Sequence, residues 1–354
     1  MKGIILHGGH GTRLRPLTHT GPKQLLPIAN KPMSQYGIES MIKSGIKEIA
    51  IIIGGVGANK VREYYGDGEK FGVHISYIEQ DQPRGIAHAI SLCKDFIKNE
   101  KFLVFLGDNI LKDNIKNYVE EFEKSDAEAS IVLCEVDNPS RFGIADIQNG
   151  EIKKIIEKPK VPPTNLAVIG VYLLTPKIFD IIDRLKPSWR NELEITDALQ
   201  MMLEENNKII YNTVSENWKD TGTPEDIIQA NDIILRDCNS YFLGEKEENV
   251  EINGNVMVGE NSKIKKGVKL IGPVIIGENC LIESGIIGPN TSIGNNSRIA
   301  KSSISNSIIM EDCEIEIKSR IENSIISKNS KILQKENFDT NNVFLLGEGT
   351  KIYL

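Results

Sequence analysis

Three glycines stand directly after a short apolar run at the start of the chain. Gly3–Leu6 reads GIIL; Gly8, Gly9 and Gly11 follow, with Thr12 and Arg13 next and Lys23 a short way on. Glycines in this place let backbone N–H groups approach a phosphate without side chains in the way. Arg13 can bridge phosphate oxygens as a fork, and Lys23 adds a second positive charge. From Met1 to Ile38 the charged residues are Lys2, Arg13, Arg15, Lys23 and Lys31, with no acid among them, in a chain of net charge −7. A basic opening on an acidic protein suggests a local anion site, and the overall sign argues against a general nucleic-acid binder. The segment has neither the Walker A spacing nor that of the dinucleotide fingerprint. A glycine turn alone would be a tight strand–helix connection, and a basic run alone a solvated face. Glycines, Arg13 and Lys23 in one loop point instead to phosphate.

The elements that must hold this loop alternate. Gly3–Leu6, Glu48–Ile53, His74–Glu79, Phe102–Leu106 and Ala129–Val136 read as short buried strands. Helical patterns lie between them near 32–44, 58–65, 86–97 and 114–124. This order predicts an α/β, Rossmann-like, mostly parallel sheet with ligands at the carboxyl ends of its strands. After Asn138, Phe142–Ile147 and Glu151–Glu157 flank Asn149-Gly150, a hairpin turn because both residues tolerate positive φ. Ala167–Leu174 is another apolar strand, and helices are expected near 176–185 and 195–205. Thr223 before Pro224, Glu225 and Asp226 reads as the N-cap of a last helix ending near Arg236.

Beyond it the pattern changes to a period of six. Ile252, Val258, Ile264, Leu270, Ile276 and Ile282 are six apart; the series slips by one and resumes at Ile287, Ile293 and Ile299. It returns at Ile309, Ile315 and Ile321, then at Ile326 and Ile332. A strand on a flat sheet repeats at two and a helix at 3.6. An aliphatic residue at every sixth position builds an inward ladder, the mark of a β-helix. The expected division is a first domain over 1–236, a linker over 237–250, and a left-handed parallel β-helix with a C-terminal tail over 251–354. The β-helix offers a flat stacking face, and a homo-oligomer is expected.

Bulk properties fit this plan. At 354 residues the chain suits two domains. Its 40% hydrophobic and 26% charged residues place it with soluble globular proteins. No run approaches the ~18 apolar residues of a membrane span, and the opening segment lacks the features of a signal peptide. A cytoplasmic location is expected. The five cysteines, Cys93, Cys134, Cys238, Cys280 and Cys313, are an odd number without metal-ligand spacing and read as reduced thiols.

Taken together, the motifs resemble a known family. G-G-x-G-T-R-L at Gly8–Leu14, P-K-Q-L-L-P-I at Pro22–Ile28 and K-P-M at Lys31–Met33 are similar to the nucleotide-binding signature of sugar nucleotidyltransferases. Q-x-x-P-x-G at Gln80–Gly85, L-G-D-N at Leu106–Asn109, F-G at Phe142–Gly143, E-K-P at Glu157–Pro159 and A-V-x-G-V-Y at Ala167–Tyr172 follow in order. E-L-E-I-T-D at Glu192–Asp197 and W-K-D-T-G-T at Trp218–Thr223 complete the set. Within the family the chain most resembles glucose-1-phosphate thymidylyltransferases of the longer kind with a β-helix tail.

The resemblance implies transfer of a nucleotidyl group from dTTP to glucose-1-phosphate. It implies that Asp108 and Asp220 together hold Mg²⁺, whose preference is for oxygen ligands. It gives Lys158 the sugar phosphate and sets Glu157, Asn109, Gly143 and Val168 around the sugar. Gln80 and Gly85 match base-reading positions, and Gln24 lies beside Lys23 in the nucleotide site. The substrates are small molecules, with no nucleic acid or membrane partner.

His7 departs from the pattern, which has a small residue there. Packing beneath the loop is expected for it, and the role of His10 stays open, as does that of Trp218, which can stack or pack. An acyltransferase site in the β-helix would want a histidine base. All five histidines, His7, His10, His19, His74 and His88, precede it, so a structural β-helix is expected. A non-catalytic binding subunit is expected to lose Arg13, Lys23 or a metal carboxylate, and this chain keeps all of them. Uridylyl transfer stays open, because one methyl gives only ~1–3 kcal/mol of discrimination.

Overall fold

The computed structural model describes residues 1–9, 11–214, 218–334 and 349–351. The elements are, in chain order, β1 (Lys2–Leu6), β2 (Pro27–Ile28), β3 (Lys31–Pro32), α1 (Met33–Lys43), β4 (Glu48–Ile53), α2 (Ala58–Tyr65) and β5 (His74–Glu79). Next come α3 (Ile86–Ser91), α4 (Lys94–Ile97), β6 (Phe102–Leu106), β7 (Asn109–Leu111), α5 (Lys116–Lys124), β8 (Ala129–Glu135), β9 (Gly143–Gln148) and β10 (Glu151–Glu157). β11 (Leu166–Leu174), α6 (Lys177–Ile182), α7 (Ile195–Glu204), β12 (Ile209–Val214), β13 (Trp218–Asp220) and α8 (Pro224–Arg236) lead to the short strands of the β-helix. They form two units. One comprises Met1–Gly11, Thr20–Leu25 and Met33–Asp220; the other comprises Thr12–His19, Leu26–Pro32 and Thr221–Leu354.

In the first unit the sheet order is β10–β9–β11–β6–β1–β4–β5, with β8 beside β11 and β12 beside β8. β6, β1, β4 and β5 are parallel and end level, Leu6 lying opposite both Ile52 and Leu106, and Ile53 opposite Glu79. His7-Gly8, Gly54, Gln80 and Gly107-Asp108 therefore follow one another along a single edge. The other half of the sheet is mixed. β11 runs antiparallel to β6 and to β8, and β12, absent from the sequence reading, is parallel to β8. A short apolar run carries no signal of strand direction, which is why the sequence suggested a more parallel sheet.

Alternate residues of each strand face opposite sides. Ile4, Leu6 and Ile52 join the core with α3, α6 and α7, while Ile5, Ile49, Ile51 and Ile53 join that with α1, α2 and α5. The helix expected over 86–97 is broken in two, because Cys93 leaves the helical well at φ −90°, ψ 3°.

In the second unit α8 opens with a reciprocal cap. Thr223 Oγ1 accepts from the Asp226 amide at 3.2 Å, and Asp226 Oδ2 accepts from the Thr223 amide at 3.1 Å. This satisfies donors that a helix start otherwise strands. The repeats then wind into a three-faced, left-handed parallel β-helix. Ile252, Leu270, Ile287, Ile304 and Ile321 stack on one face. Val258, Ile276, Ile293, Ile309 and Ile326 stack on the second, and Ile264, Ile282, Ile299, Ile315 and Ile332 on the third. Ile304 fills the gap in the sequence series, where five-residue corners interrupt the count of six.

The stretch read as a linker already belongs to this winding. Tyr241–Phe242 pairs with Met257–Val258, and Glu245–Lys246 with Lys263–Ile264. On the second face, outward-pointing Met257 and Ser292 are 1% and 0% exposed. Ala29 and Leu235 pack with Met257, Ile234 and Ile275, so the β2–β3 hairpin and α8 cover this face. Among the described residues no helix is long and apolar enough to cross a membrane.

Candidate active site

The glycine loop begins where β1 ends. Gly8 and Gly9 are exposed, and Gly9 (φ +92°) and Gly11 (φ +57°) take conformations that favour glycine. His10 lies outside the described residues. Gln24, 1% exposed, reaches under the loop, its Nε2 donating to the Gly8 carbonyl at 2.8 Å. From the end of β5, two strands along, Gln80 approaches the same glycine: a Cβ added at Gly8 would lie 3.9 Å from Gln80 Oε1. His7 is 2% exposed and stands edge-on to Tyr65, and neither ring nitrogen has a hydrogen-bond partner among the described residues. Burial pulls its pKa down from 6.5 to about 3, against the opposing pull of Asp108, so the ring is neutral at physiological pH.

Asp108 follows β6 and pairs with Lys23. Burial works against the charge of Asp108. The Lys23 ammonium, its hydrogen bond and the Asn109 amide at 3.0 Å outweigh burial and hold the carboxyl below the ordinary aspartate range. The two-stranded ribbon of β7 and β13 sets Asp220 opposite Asn109, next in the chain to Asp108. Asp220 thus stands across from the residue that follows Asp108, more than a hundred positions away in sequence. Trp218 on the same ribbon donates its indole N–H to Asn109 Oδ1 at 2.6 Å and meets Phe142 edge-on. It orients Asn109 as well as packing.

A second cluster gathers at the β9–β10 hairpin. Gly143 opens β9 opposite Glu157, the last residue of β10, and the Lys158 amide donates to the Phe142 carbonyl at 3.0 Å. Glu157 Oε1 lies 3.4 Å from Lys158 Nζ and 3.5 Å from Arg190, while Glu157 Oε2 accepts from Thr196 at 2.9 Å. A Cβ added at Gly143 would lie 2.4 Å from Thr196 Cγ2, so this contact admits only glycine. Arg190 also reaches Glu192 and Glu194. The sequence reading missed Arg190, although one arginine among the acids of P-S-W-R-N-E-L-E was a visible signal.

Burial, and then the charge of Glu157, push the Glu194 carboxyl above its usual range, with Ser188 and Arg190 pulling back. Val168 on β11 is 7% exposed and packs in the core.

The two clusters are neighbours. Phe142, next in the chain to Gly143, meets Trp218 of the ribbon edge-on, and burial, then the charges of Glu157, Asp108 and Glu194, push the Tyr172 hydroxyl well up. The loop Gln80–Gly85 is braced to the segment that carries Glu192 and Glu194: the Leu193 amide donates to the Arg84 carbonyl at 2.8 Å, and the Ala87 amide to the Leu193 carbonyl at 3.1 Å. A Cβ at Gly85 (φ +103°) would meet that Leu193 oxygen at 2.4 Å. Gln80 itself pairs with His88 at 2.9 Å. Of the expected residues, Gly8, Gly9, Gly11, Lys23, Gln24, Gln80, Gly85, Asp108, Asn109, Gly143, Glu157, Lys158, Val168 and Asp220 lie in the first unit. Thr12 and Arg13 lie in the second, both exposed, in a single helical turn, Thr12–Leu14, whose Leu14 is buried.

Comparison with known proteins gives this arrangement a family. Residues 2–237 match the description "Nucleotidyl transferase", and residues 270–353 match "GMPPB C-terminal domain". The low-salt glycan biosynthesis nucleotidyltransferase Agl11 of Haloferax volcanii is 44% identical, covering 100% of both chains. A glucose-1-phosphate thymidylyltransferase of Streptomyces antibioticus is 38% identical over 99% of both. A solved Bacillus anthracis structure, assigned as a glucose-1-phosphate thymidylyltransferase, is 44% identical with a TM-score of 0.64 and covers 68% of this chain and 98% of its own. A glycine loop at a parallel strand end, an aspartate–lysine pair at the next strand end, and these matches lead to one conclusion: the chain belongs to the sugar-1-phosphate nucleotidyltransferase family.

Proposed function

We propose that the protein transfers the thymidylyl group of dTTP to glucose-1-phosphate, releasing pyrophosphate. The observations that support this are the register that sets Asp220 opposite Asn109, the residue after Asp108, the Asp108–Lys23 pair, and Glu157 beside Lys158 on the β9–β10 hairpin. A phosphate oxygen of the sugar phosphate attacks the α-phosphorus in line, a new P–O bond forms, and the bond to the departing pyrophosphate breaks. The attacking oxygen is already ionised, so no general base is assigned.

The amides of Gly8, Gly9 and Gly11 and the cations Arg13 and Lys23 bind the triphosphate, and Thr12 and Gln24 complete that loop. Gln80 and Gly85 face the base. Lys158 holds the sugar phosphate, and Glu157, Asn109, Gly143 and Val168 surround the sugar. Asp108 and Asp220 suit Mg²⁺, since both offer hard oxygen donors. Among the described residues no group of three or more metal-binding side chains exists, which leaves the remaining ligand positions to phosphate and water, as this ion prefers. Mg²⁺ bound there supplies neutralisation of charge on the α-phosphate and the leaving pyrophosphate.

The deciding experiment is pyrophosphate release with Mg²⁺ and glucose-1-phosphate, offering dTTP, UTP, CTP, GTP and ATP separately. Turnover with dTTP that disappears in Asp108→Asn supports the proposal. Preference for UTP keeps the chemistry and changes the base. Silence with every nucleotide, repeated with glucosamine-1-phosphate and mannose-1-phosphate, overturns it in favour of a binding subunit.

A further inference from the structure

Gln80 follows β5 with its main chain pinned against β4. Its amide donates to the Ile53 carbonyl at 2.8 Å, and a Cβ added at Gly54 would meet the Gln80 carbonyl at 2.4 Å. Gln80 is 8% exposed, and its side chain spans two neighbours. Nε2 lies 2.9 Å from Nδ1 of His88, the third residue of α3, while Oε1 faces the glycine loop, 3.9 Å from where a Cβ on Gly8 would stand. An amide nitrogen only donates, so His88 Nδ1 accepts and the ring proton sits on the other nitrogen. Burial, and then Arg84, hold the His88 pKa below its ordinary 6.5 against the pull of Asp81, which keeps that lone pair available at physiological pH. All of these residues lie in the first unit.

The loop between Gln80 and His88 does not depend on this pair. Leu193 braces it through both its amide and its carbonyl, and Arg84 meets Asp81 at 3.1 Å. What the pair decides is the direction of an amide. The two ends of a glutamine side chain have almost the same shape, and only hydrogen bonding tells them apart. With Nε2 held by His88, the end presented toward Gly8 is an acceptor. Uracil and thymine carry a donor, N3–H, between two carbonyls. Cytosine carries a bare N3 lone pair beside an amino group. An oxygen accepts from the first edge and is repelled by the N3 of the second.

We infer that His88 is a positioning residue for base selectivity, fixing Gln80 so that the site takes the imide pyrimidine nucleotides, dTTP and UTP, and rejects CTP. That role rests on the nucleotidyl-transfer reading, which gives Gln80 the base. His88 acts through Gln80 by removing one of two amide orientations. A base that needs the other orientation meets an acceptor with its own lone pair, and both are left unsatisfied. Thymine and uracil share N3–H, so the choice between them falls to other contacts.

The test uses the full chain and compares kcat/KM for UTP and CTP, which differ only on this edge of the base, by pyrophosphate release with Mg²⁺ and glucose-1-phosphate. The unaltered chain should favour UTP by at least about a hundredfold. His88→Leu offers Gln80 no partner, and the ratio should fall about tenfold or more. His88→Asp keeps an acceptor and should hold the ratio within about threefold of the original, whereas His88→Lys offers only donors and should bring CTP about level with UTP. Partial misfolding lowers both nucleotides alike and leaves the ratio untouched. Equal losses for UTP and CTP in His88→Leu and His88→Lys overturn the inference, as does His88→Asp proving as permissive as His88→Leu. If the unaltered chain releases no pyrophosphate with any nucleotide, the nucleotidyl-transfer reading fails. Equilibrium dialysis of UTP and of CTP against the same variants then decides, and an unchanged binding ratio, or no binding of either, overturns the role of His88.

Discussion

Gly143→Ala tests the sugar side of the site at a single atom. The added Cβ would lie 2.4 Å from Thr196 Cγ2 and 3.3 Å from Glu157 Oε2. Carbon atoms in contact settle at roughly 3.5–4.0 Å, so one partner must move by about 1 Å or more. Thr196 is 3% exposed in the first turn of α7, and its hydroxyl donates to Glu157 at 2.9 Å. Movement there pulls on the carboxylate that also meets Lys158 and Arg190. Overpacking of this kind costs about 1–3 kcal/mol, and a 1 Å misplacement at a reacting site costs about 100-fold in rate. We expect kcat/KM for glucose-1-phosphate to fall about 100-fold while the KM for dTTP stays within about threefold, read from pyrophosphate release with each substrate varied in turn. Thr196→Ser removes the clashing methyl and keeps the hydroxyl, so Gly143→Ala/Thr196→Ser should recover at least about tenfold. A double variant no better than Gly143→Ala, or equal losses for both substrates, would refute the reasoning.

Other expectations follow from the same geometry. Gly85→Ala must adopt φ +103° and meet the Leu193 carbonyl at 2.4 Å, so its urea midpoint should drop by an amount worth about 2–4 kcal/mol and its dTTP KM should rise; an unchanged midpoint contradicts this. Asp108→Asn should lower kcat by about three orders of magnitude, the worth of roughly 4 kcal/mol between close charges, and chelation of Mg²⁺ should silence the unaltered enzyme; turnover in the presence of chelator defeats the metal assignment. His7 titrates at about 3 when folded, against 6.5 unfolded. The unfolded chain therefore binds the extra proton between these values. Stability is fully present above pH 6.5 and declines as pH falls toward 3, by up to about 1.4 kcal/mol per unit. His7→Leu should flatten that part of the curve of urea midpoint against pH, and parallel curves for the two proteins would show that His7 is not responsible.

How much of this was legible in the sequence depended on the range of each signal. The ladders announced themselves because the stacked strand residues are Ile, Val or Leu, mostly six apart. Ile304 escaped only because five-residue corners on both sides broke the count. The glycine loop, Arg13 and Lys23 could be read because they are close in sequence and chemically distinctive. The β7–β13 ribbon could not: each strand is three residues long, and Trp218 must find Asn109 across more than a hundred positions. Arg190 was passed over because Glu157, the carboxylate it meets outside its own segment, arrives from another hairpin. The stretch 237–250 looked like a linker because its strands are only two residues long and pair eighteen or so positions ahead.

Trp218 also gives the protein an optical reporter. The chain has two tryptophans. Trp189 is 82% exposed, open to an aqueous collisional quencher such as acrylamide or iodide, whereas Trp218 is half-buried with its indole N–H on Asn109. Indole emission responds to the polarity around the ring and to the bond made by its N–H. With Trp189 silenced, the residual emission comes from a fluorophore two residues from Asp220 and bonded to the neighbour of Asp108. Its wavelength should shift when Mg²⁺ or nucleotide reaches those carboxylates, so occupancy can be followed in real time without labelling the enzyme or coupling it to a second one.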